Sequence, residues 1–182
     1  MAQERLITQI DYARAGKITP QMEAVAAKEH KTPEEIRAGV AKGCIAIPAN
    51  IHHAALSPEG VGEGMRTKVN VNLGISGDLM NAEMELEKVR TAIELGAEGI
   101  MDLSNHGKTH DFRKHLIDMS PAMIGTVPMY DAIGYLEKPL IGITAQDFLD
   151  VVRAHAEDGV DFVTIHAGMN RRTIENFKET GR

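Results

Sequence analysis

From Lys68 to Asp102 the chain reads KVNVNLGISGDLMNAEMELEKVRTAIELGAEGIMD, and the order of patterns in this stretch decides the fold. Lys68-Val-Asn-Val-Asn-Leu73 alternates apolar and polar residues with the period of a strand. Glu83 to Leu95 follows as an amphipathic helix. Its Ala82, Leu86, Val89 and Ile93 recur at helical spacing, and Gly96 closes it. Gly99-Ile-Met-Asp102 is the next short apolar strand.

The alternation continues downstream. A helix lies within Lys108 to Met119, and Met123-Ile-Gly-Thr-Val127 is a third strand with a short helix after Pro128. Thr144 caps a longer helix to Asp158, closed by Gly159, which leads into Val160-Asp-Phe-Val-Thr-Ile-His166 as a fourth strand. Arg171 opens a final helix. Strands that alternate with helices predict an α/β fold with a parallel sheet.

Upstream, the first 43 residues read as helices in short pieces. Thr19-Pro20 and Thr32-Pro33 each place a capping hydroxyl before a proline at the first helical position. The second adds Glu34 and Glu35 in the first turn and Gly43 past the end, both favourable to the helix dipole and the C-cap. Cys44 to Ile47 is a short strand ended by Pro48, and Asn50 to Gly64 reads as a loop. No Gly-x-Gly-x-x-Gly follows any strand, which disfavours a dinucleotide-binding doubly wound sheet. The pattern fits about four βα units, the N-terminal portion of a (β/α)8 TIM-like barrel. Residues 1–43 are then a helical segment and residues 44–182 the first half of the barrel. A complete barrel takes about 250 residues, so the expectation is a part of something larger. The ending Lys-Glu-Thr-Gly-Arg182 reads as an interruption.

Composition bounds the function. The chain has 182 residues and a net charge of −6, without a block of Lys or Arg, which argues against a nucleic-acid partner. No apolar run reaches the roughly 20 residues of a membrane span, and the N-terminus lacks a signal-peptide core, so the cytoplasm is the expected location. The single cysteine, Cys44, excludes an internal disulfide and an iron–sulfur cluster ligated within this chain alone.

In such a barrel the active site lies where strand C-termini meet their loops. The residues there are Asn72, Met101 with Asp102, Thr126 with Tyr130 just beyond, and His166. The fourth strand is expected to bury Phe162 and Thr164 and to deliver His166 to the mouth, where Ala167 and Gly168 leave room for a ligand. Its register with three other polar strand ends favours a ligand role over a structural one. Asn72 suits either a strand-ending backbone bond or a sugar hydroxyl or ring nitrogen. Asp102 suits either the Ser104-Asn105 loop or a ligand. Met101 taken alone is core, and the Tyr130 hydroxyl taken alone reaches solvent. His106-Gly-Lys-Thr-His110 is a poor metal motif, because Gly107 interrupts the helix and no glutamate stands between the rings. Adjacent His52 and His53 seldom converge on one ion. Gly74-Ile-Ser-Gly-Asp78 resembles a phosphate nest, but Asp78 repels phosphate, and a flexible rim is expected instead.

Those residues also carry a resemblance. Ile47-Pro-Ala-Asn-Ile51, Lys68-Val-Asn-Val-Asn-Leu-Gly74, Met101-Asp-Leu-Ser104, Gly125-Thr-Val-Pro-Met-Tyr130 and Thr164-Ile-His-Ala-Gly168 resemble successive signatures of the ThiC family. These are radical S-adenosylmethionine enzymes that rearrange aminoimidazole ribotide. The blocks agree in order from Thr8 to the end of the chain. The resemblance implies a (β/α)8 barrel, a cytoplasmic homodimer, and ribotide contacts at Asn72, Met101, Tyr130 and His166. It also implies a [4Fe–4S] cluster, S-adenosylmethionine and a divalent metal such as zinc, with their ligands beyond Arg182. A Ser-Arg-Gly-Gly phosphate loop, two metal-binding histidines and the Cys-x-x-Cys-x4-Cys segment are expected there. The chain alone is then expected to be inactive.

Two family branches start from the same ribotide. Asn72-Leu-Gly-Ile-Ser76, Asp102-Leu-Ser-Asn-His106, Pro121-Ala-Met-Ile124 and His166-Ala-Gly-Met-Asn-Arg-Arg172 resemble the branch that makes 5-hydroxybenzimidazole, the lower-ligand precursor of anaerobic cobamides. The alternative is phosphomethylpyrimidine synthesis for thiamin. A reading of another class is a half-barrel that binds or assembles without chemistry. A metal-dependent hydrolase is disfavoured, since no strand end presents His-x-His.

Overall fold

The computed structural model describes residues 7–181 apart from 79, 108 and 137. Three short helices come first: α1 (Gln9–Arg14), α2 (Pro20–Glu29) and α3 (Pro33–Lys42). Their boundaries follow from capping chemistry. The Thr19 and Thr32 hydroxyls accept from the Met22 and Glu35 amides, and Pro20 and Pro33 occupy the first turn, where no backbone N–H is needed. Thr32 and Glu35 complete a reciprocal capping box, and Gly43 ends α3 in the left-handed conformation at φ 78°. α2 ends on His30, also left-handed at φ 54°, a conformation rare without glycine.

β1 (Ile45–Ala46) pairs antiparallel with β2 (Val61–Gly62), so a strand interrupts the expected Asn50–Gly64 loop. Ile45 and Ile47 pack with Met22, Val25, Ile36 and Val40 into a small core under the three helices. The main sheet is separate from this unit. It holds β3 (Asn70–Leu73), β4 (Gly99–Asp102), β5 (Met123–Thr126) and β6 (Phe162–Val163), parallel and in that spatial order. Among the described residues no barrel closes. The helices of the βα units are α4 (Ala82–Glu94), α5 (His110–Met119), α6 (Pro128–Leu136), α7 (Ala145–Asp158) and α8 (Arg171–Thr180).

Register assigns each side chain to a face, because successive residues of a strand alternate. Leu73, Ile100 and Ile124 join Leu86 and Val89 of α4 and Phe112, Leu116 and Ile117 of α5 in the main core. The opposite face carries the paired row Asn72, Met101, Gly125 and Phe162. A Cβ on Gly125 would lie 2.3 Å from the Phe162 ring, so only glycine lets that ring cross the strand.

The N-terminal unit is tied to the opposite end of the sheet from the strand C-termini. The Asn50 amide donates to Asp161 Oδ1 at 2.8 Å, and its side-chain nitrogen donates to the Ala156 and Val160 carbonyls. The buried His53 ring spans Asp161 Oδ2 at 2.7 Å and the Ser120 carbonyl at 2.8 Å. Both partners are acceptors, so both ring nitrogens must donate, which only the imidazolium can do. Burial pushes the His53 pKa down, but the hydrogen bond and charge of Asp161 and the Ser120 carbonyl outweigh it and hold it above the ordinary histidine value. Further along, buried Glu29 bridges Lys68 and the Arg66 amide at the entrance to β3.

The fourth strand differs from expectation. β6 ends at Val163, Phe162 is half-buried, and Thr164 is exposed. Among the described residues nothing pairs with the far side of β6, so it behaves as an edge strand and not as a buried one.

Two outcomes follow from this packing. Gly125→Ala forces Phe162 off its strand and lowers unfolding free energy by about 1–3 kcal/mol, measurable by urea denaturation. The protonated His53–Asp161 pair contributes its full stability below about pH 6.5, the unfolded histidine pKa. That contribution is lost as pH rises through the higher folded value. The gap in thermal midpoint between wild type and His53→Gln therefore narrows as pH is raised above neutrality, and a pH-independent gap would contradict the assignment.

Candidate active site

The four expected residues lie as two pairs on the C-terminal side of the parallel strands. Asn72 and Met101 are registered neighbours on β3 and β4, with Asn72 exposed and Met101 half-buried. Asn70 Nδ2 donates to Asn72 Oδ1 at 2.8 Å, which orients the Asn72 amide. The Thr164 hydroxyl points at the Met101 sulfur, 3.9 Å away. The Thr164 amide extends the ladder by donating to the Thr126 carbonyl at 2.8 Å. His166 lies beyond that last ladder bond, in an exposed loop and not at the strand's end. Its ring meets Tyr130 in the first turn of α6, with centroids 5.5 Å apart and planes tilted by 39°. No atom lies within 4 Å of where a Gly168 Cβ would sit, so the space beside this loop is open.

Two of the strand-end residues turn away from the rim face, and Asp102 takes the loop-holding role among its two readings. Thr126 and Asp102 belong to the row Leu73, Asp102, Thr126 and Val163, which faces the helices. Asp102 is buried, and its Oδ1 accepts from the Ser104 amide and hydroxyl, so it holds the loop. Burial raises the Asp102 pKa more than those two hydrogen bonds lower it. The Gly74–Asp78 segment is braced where it leaves β3: Glu85 accepts from the Gly74 amide at 2.9 Å, and Ser104 Oγ accepts from the Ile75 amide at 2.9 Å. Gly74 sits at φ 146° with the Ser104 nitrogen 2.5 Å from its would-be Cβ, so a side chain is excluded.

Beneath the rim lies a polar network that was not anticipated. Arg113 is 1% exposed. Its Nε and Nη2 donate to Asp158 Oδ2 at 2.8 and 2.6 Å, and its Nη1 donates to Asp131 Oδ2 at 3.2 Å. Thr109 donates to Asp131 Oδ1 at 2.6 Å, and His155 links Asp131 Oδ2 to the Thr126 hydroxyl, both at 2.8 Å. His110 reaches Asp158 Oδ1 at 2.9 Å, which gives that histidine a partner of its own. Burial raises the Asp131 pKa, but hydrogen bonds from His155 and Thr109 and the charge of Arg113 outweigh it and keep the carboxyl below its ordinary value. Two signals pointed here. Arg113 shares the helical stripe of Leu116 and Ile117, so it is buried with them. Asp158 stands in the last turn of α7, where the dipole disfavours an acid that lacks a cation.

The donor sets on this chain do not suit the metal groups that the resemblance implies. Cys44 is the only cysteine and lies exposed beside β1, far in sequence from the rim residues. Among the described residues no three His, Cys, Asp or Glu side chains converge. The rim instead offers an amide, a phenol, an imidazole and a thioether, all uncharged or weakly basic groups that hydrogen-bond and pack.

The four-stranded parallel sheet with its helices is consistent with a partial α/β barrel. Residues 8–182 match the radical SAM ThiC family, and the chain belongs to that family. It is 63% identical over 175 residues to a protein of Alkaliphilus metalliredigens named phosphomethylpyrimidine synthase, covering 96% of this chain and 40% of that relative. A Clostridium tetani protein of the same name is 60% identical, with 96% and 38% covered. A Clostridium botulinum (strain Hall) protein, also so named, is 57% identical, with 96% and 40% covered. The chain thus spans well under half the length of these relatives. Among the described residues no helix is long and apolar enough to cross a membrane.

Truncating Arg113 leaves two buried carboxylates without their cation. Arg113→Ala is expected to cost about 3–5 kcal/mol of stability, read from denaturant melts; a loss below about 1 kcal/mol would show that the network is incidental.

Proposed function

We propose that this chain supplies part of the ribotide-binding rim of a radical S-adenosylmethionine synthase that converts 5-aminoimidazole ribotide into the phosphomethylpyrimidine of thiamin. Two observations support the reading: Asn72 and Met101 are paired near the C-terminal ends of β3 and β4, and the Tyr130 and His166 rings meet just past the ends of β5 and β6, in a chain whose relatives bear the name phosphomethylpyrimidine synthase. Those relatives favour the pyrimidine product over 5-hydroxybenzimidazole.

The roles follow from the chemistry of each group. Asn72 offers two donors and one acceptor to a ribose hydroxyl or an imidazole nitrogen. Tyr130 and His166, whose tilted rings meet beside the open loop, supply a hydroxyl and a ring nitrogen. Met101, backed by Thr164 and with Phe162 in the same row, gives a polarizable floor. Such groups hold a substrate in one pose, which is the protein's share of the work when a cofactor performs the bond rearrangement. A [4Fe–4S] cluster that cleaves S-adenosylmethionine would supply the radical chemistry, and its three thiolates come from outside this sequence. The first half of a (β/α)8 barrel at residues 44–182, a homodimer and a cytoplasmic setting belong to the same proposal.

The test is anaerobic reconstitution of the full-length enzyme with aminoimidazole ribotide and S-adenosylmethionine, with products identified by mass spectrometry. The reading expects 5′-deoxyadenosine together with the phosphorylated hydroxymethylpyrimidine. 5-Hydroxybenzimidazole would move the protein to the other branch, and no 5′-deoxyadenosine would reject both. In the same assay His166→Ala lowers turnover about 100-fold or more, whereas His115→Ala, exposed on α5, stays within about twofold.

A further inference from the structure

The Arg113 charge is already neutralised by Asp158 and Asp131, yet the hydrogen bonds continue past them to the end of β5. His155 Nε2 faces the Asp131 carboxylate and so donates, and its Nδ1 faces the Thr126 hydroxyl. The order carboxylate–imidazole–hydroxyl resembles that of a nucleophilic triad. Thr126 is 1% exposed and His155 1%, however, so no substrate reaches the hydroxyl. The neighbours of Thr126 on that face are the apolar Leu73, Ile100 and Ile124 and the buried Asp102, whose hydrogen bonds go to Ser104 and not to Thr126.

What distinguishes Thr126 and Asp131 is what they adjoin. Asp131 follows Tyr130 directly in the first turn of α6, a turn that opens on Pro128 and so lacks one backbone donor. The Thr126 carbonyl takes the Thr164 amide at 2.8 Å, the last ladder bond before His166. The hydrogen-bond chain therefore ends one residue from Tyr130, at Asp131, and two residues from His166, at Thr164, and Tyr130 and His166 are the partners of the ring pair. We propose that Thr126, His155 and Asp131, braced by Arg113, are positioning residues that fix Tyr130 and His166 against each other for the ribotide; this rests on the ribotide-binding reading of the rim.

The experiment is calorimetric titration of the full-length protein with aminoimidazole ribotide, with a thermal midpoint recorded for every variant. Thr126→Val keeps the shape and removes the hydroxyl, and it is expected to weaken binding about tenfold. Thr126→Ser restores the hydroxyl and binds within about twofold of wild type. Placed on His166→Ala, Thr126→Val adds less than about twofold, because the ring pair whose mutual setting it fixes is gone. Losses that multiply in the double variant, or wild-type affinity in Thr126→Val where His166→Ala binds weakly, overturn the positioning role and leave the rim reading intact. A wild-type protein that binds no ribotide overturns both. His155→Gln, read the same way, decides the matter should Thr126→Val fail to fold.

Discussion

A guanidinium sealed in a protein interior is tolerable only if carboxylates meet it with good geometry. Arg113 imposes that condition on this molecule. Asp158 at the end of α7 and Asp131 at the start of α6 must both reach α5, so three helices from two successive βα connections are held in one arrangement behind β4 and β5. Apolar packing of Phe112, Leu116 and Ile117 would hold α5 to the sheet, but it would not fix the angular setting of α6. Directional bonds do, and α6 is the helix that carries Tyr130.

The two faces of the sheet divide the labour. On one, side chains from alternate strand positions build the core and the ionic network. On the other, the row Asn72, Met101, Gly125 and Phe162 opens toward the strand C-termini, where His166 and Tyr130 meet. At the opposite end, Asp161 collects the Asn50 amide, the Ile124 amide and the His53 ring, anchoring the N-terminal helices well away from the rim. Stability at one end and ligand contact at the other is the usual polarity of a barrel of this kind.

Much of this was legible in the sequence because capping and periodicity are local. Thr32, Pro33 and Gly43 bound α3, and Thr144 and Gly159 bound α7, as the caps required. The four parallel strands, with Asn72 and Met101 paired on one face, also followed from alternation. Facing was harder. Thr126 read as a strand end beside the ligand and Asp102 as either loop holder or ligand, but a residue at a strand's end points to either face, and only register decides which. His166 read as a buried strand's last residue, whereas β6 stops sooner for lack of a second pairing partner among the described residues. Burial of Arg113 and the need of Asp158 for a cation left signals, but their pairing was not legible, since the contact spans 45 positions. The choice between products depended on loop residues, and the relatives weigh toward the pyrimidine.

The central claim is that one rim of a parallel sheet cradles a ribotide through neutral groups. A crystal structure of the full-length protein with aminoimidazole ribotide bound tests it most directly. The account predicts hydrogen bonds from the ligand to Asn72, Tyr130 and His166, with Met101 in van der Waals contact. A ribotide seated elsewhere, with those four side chains untouched, would contradict it.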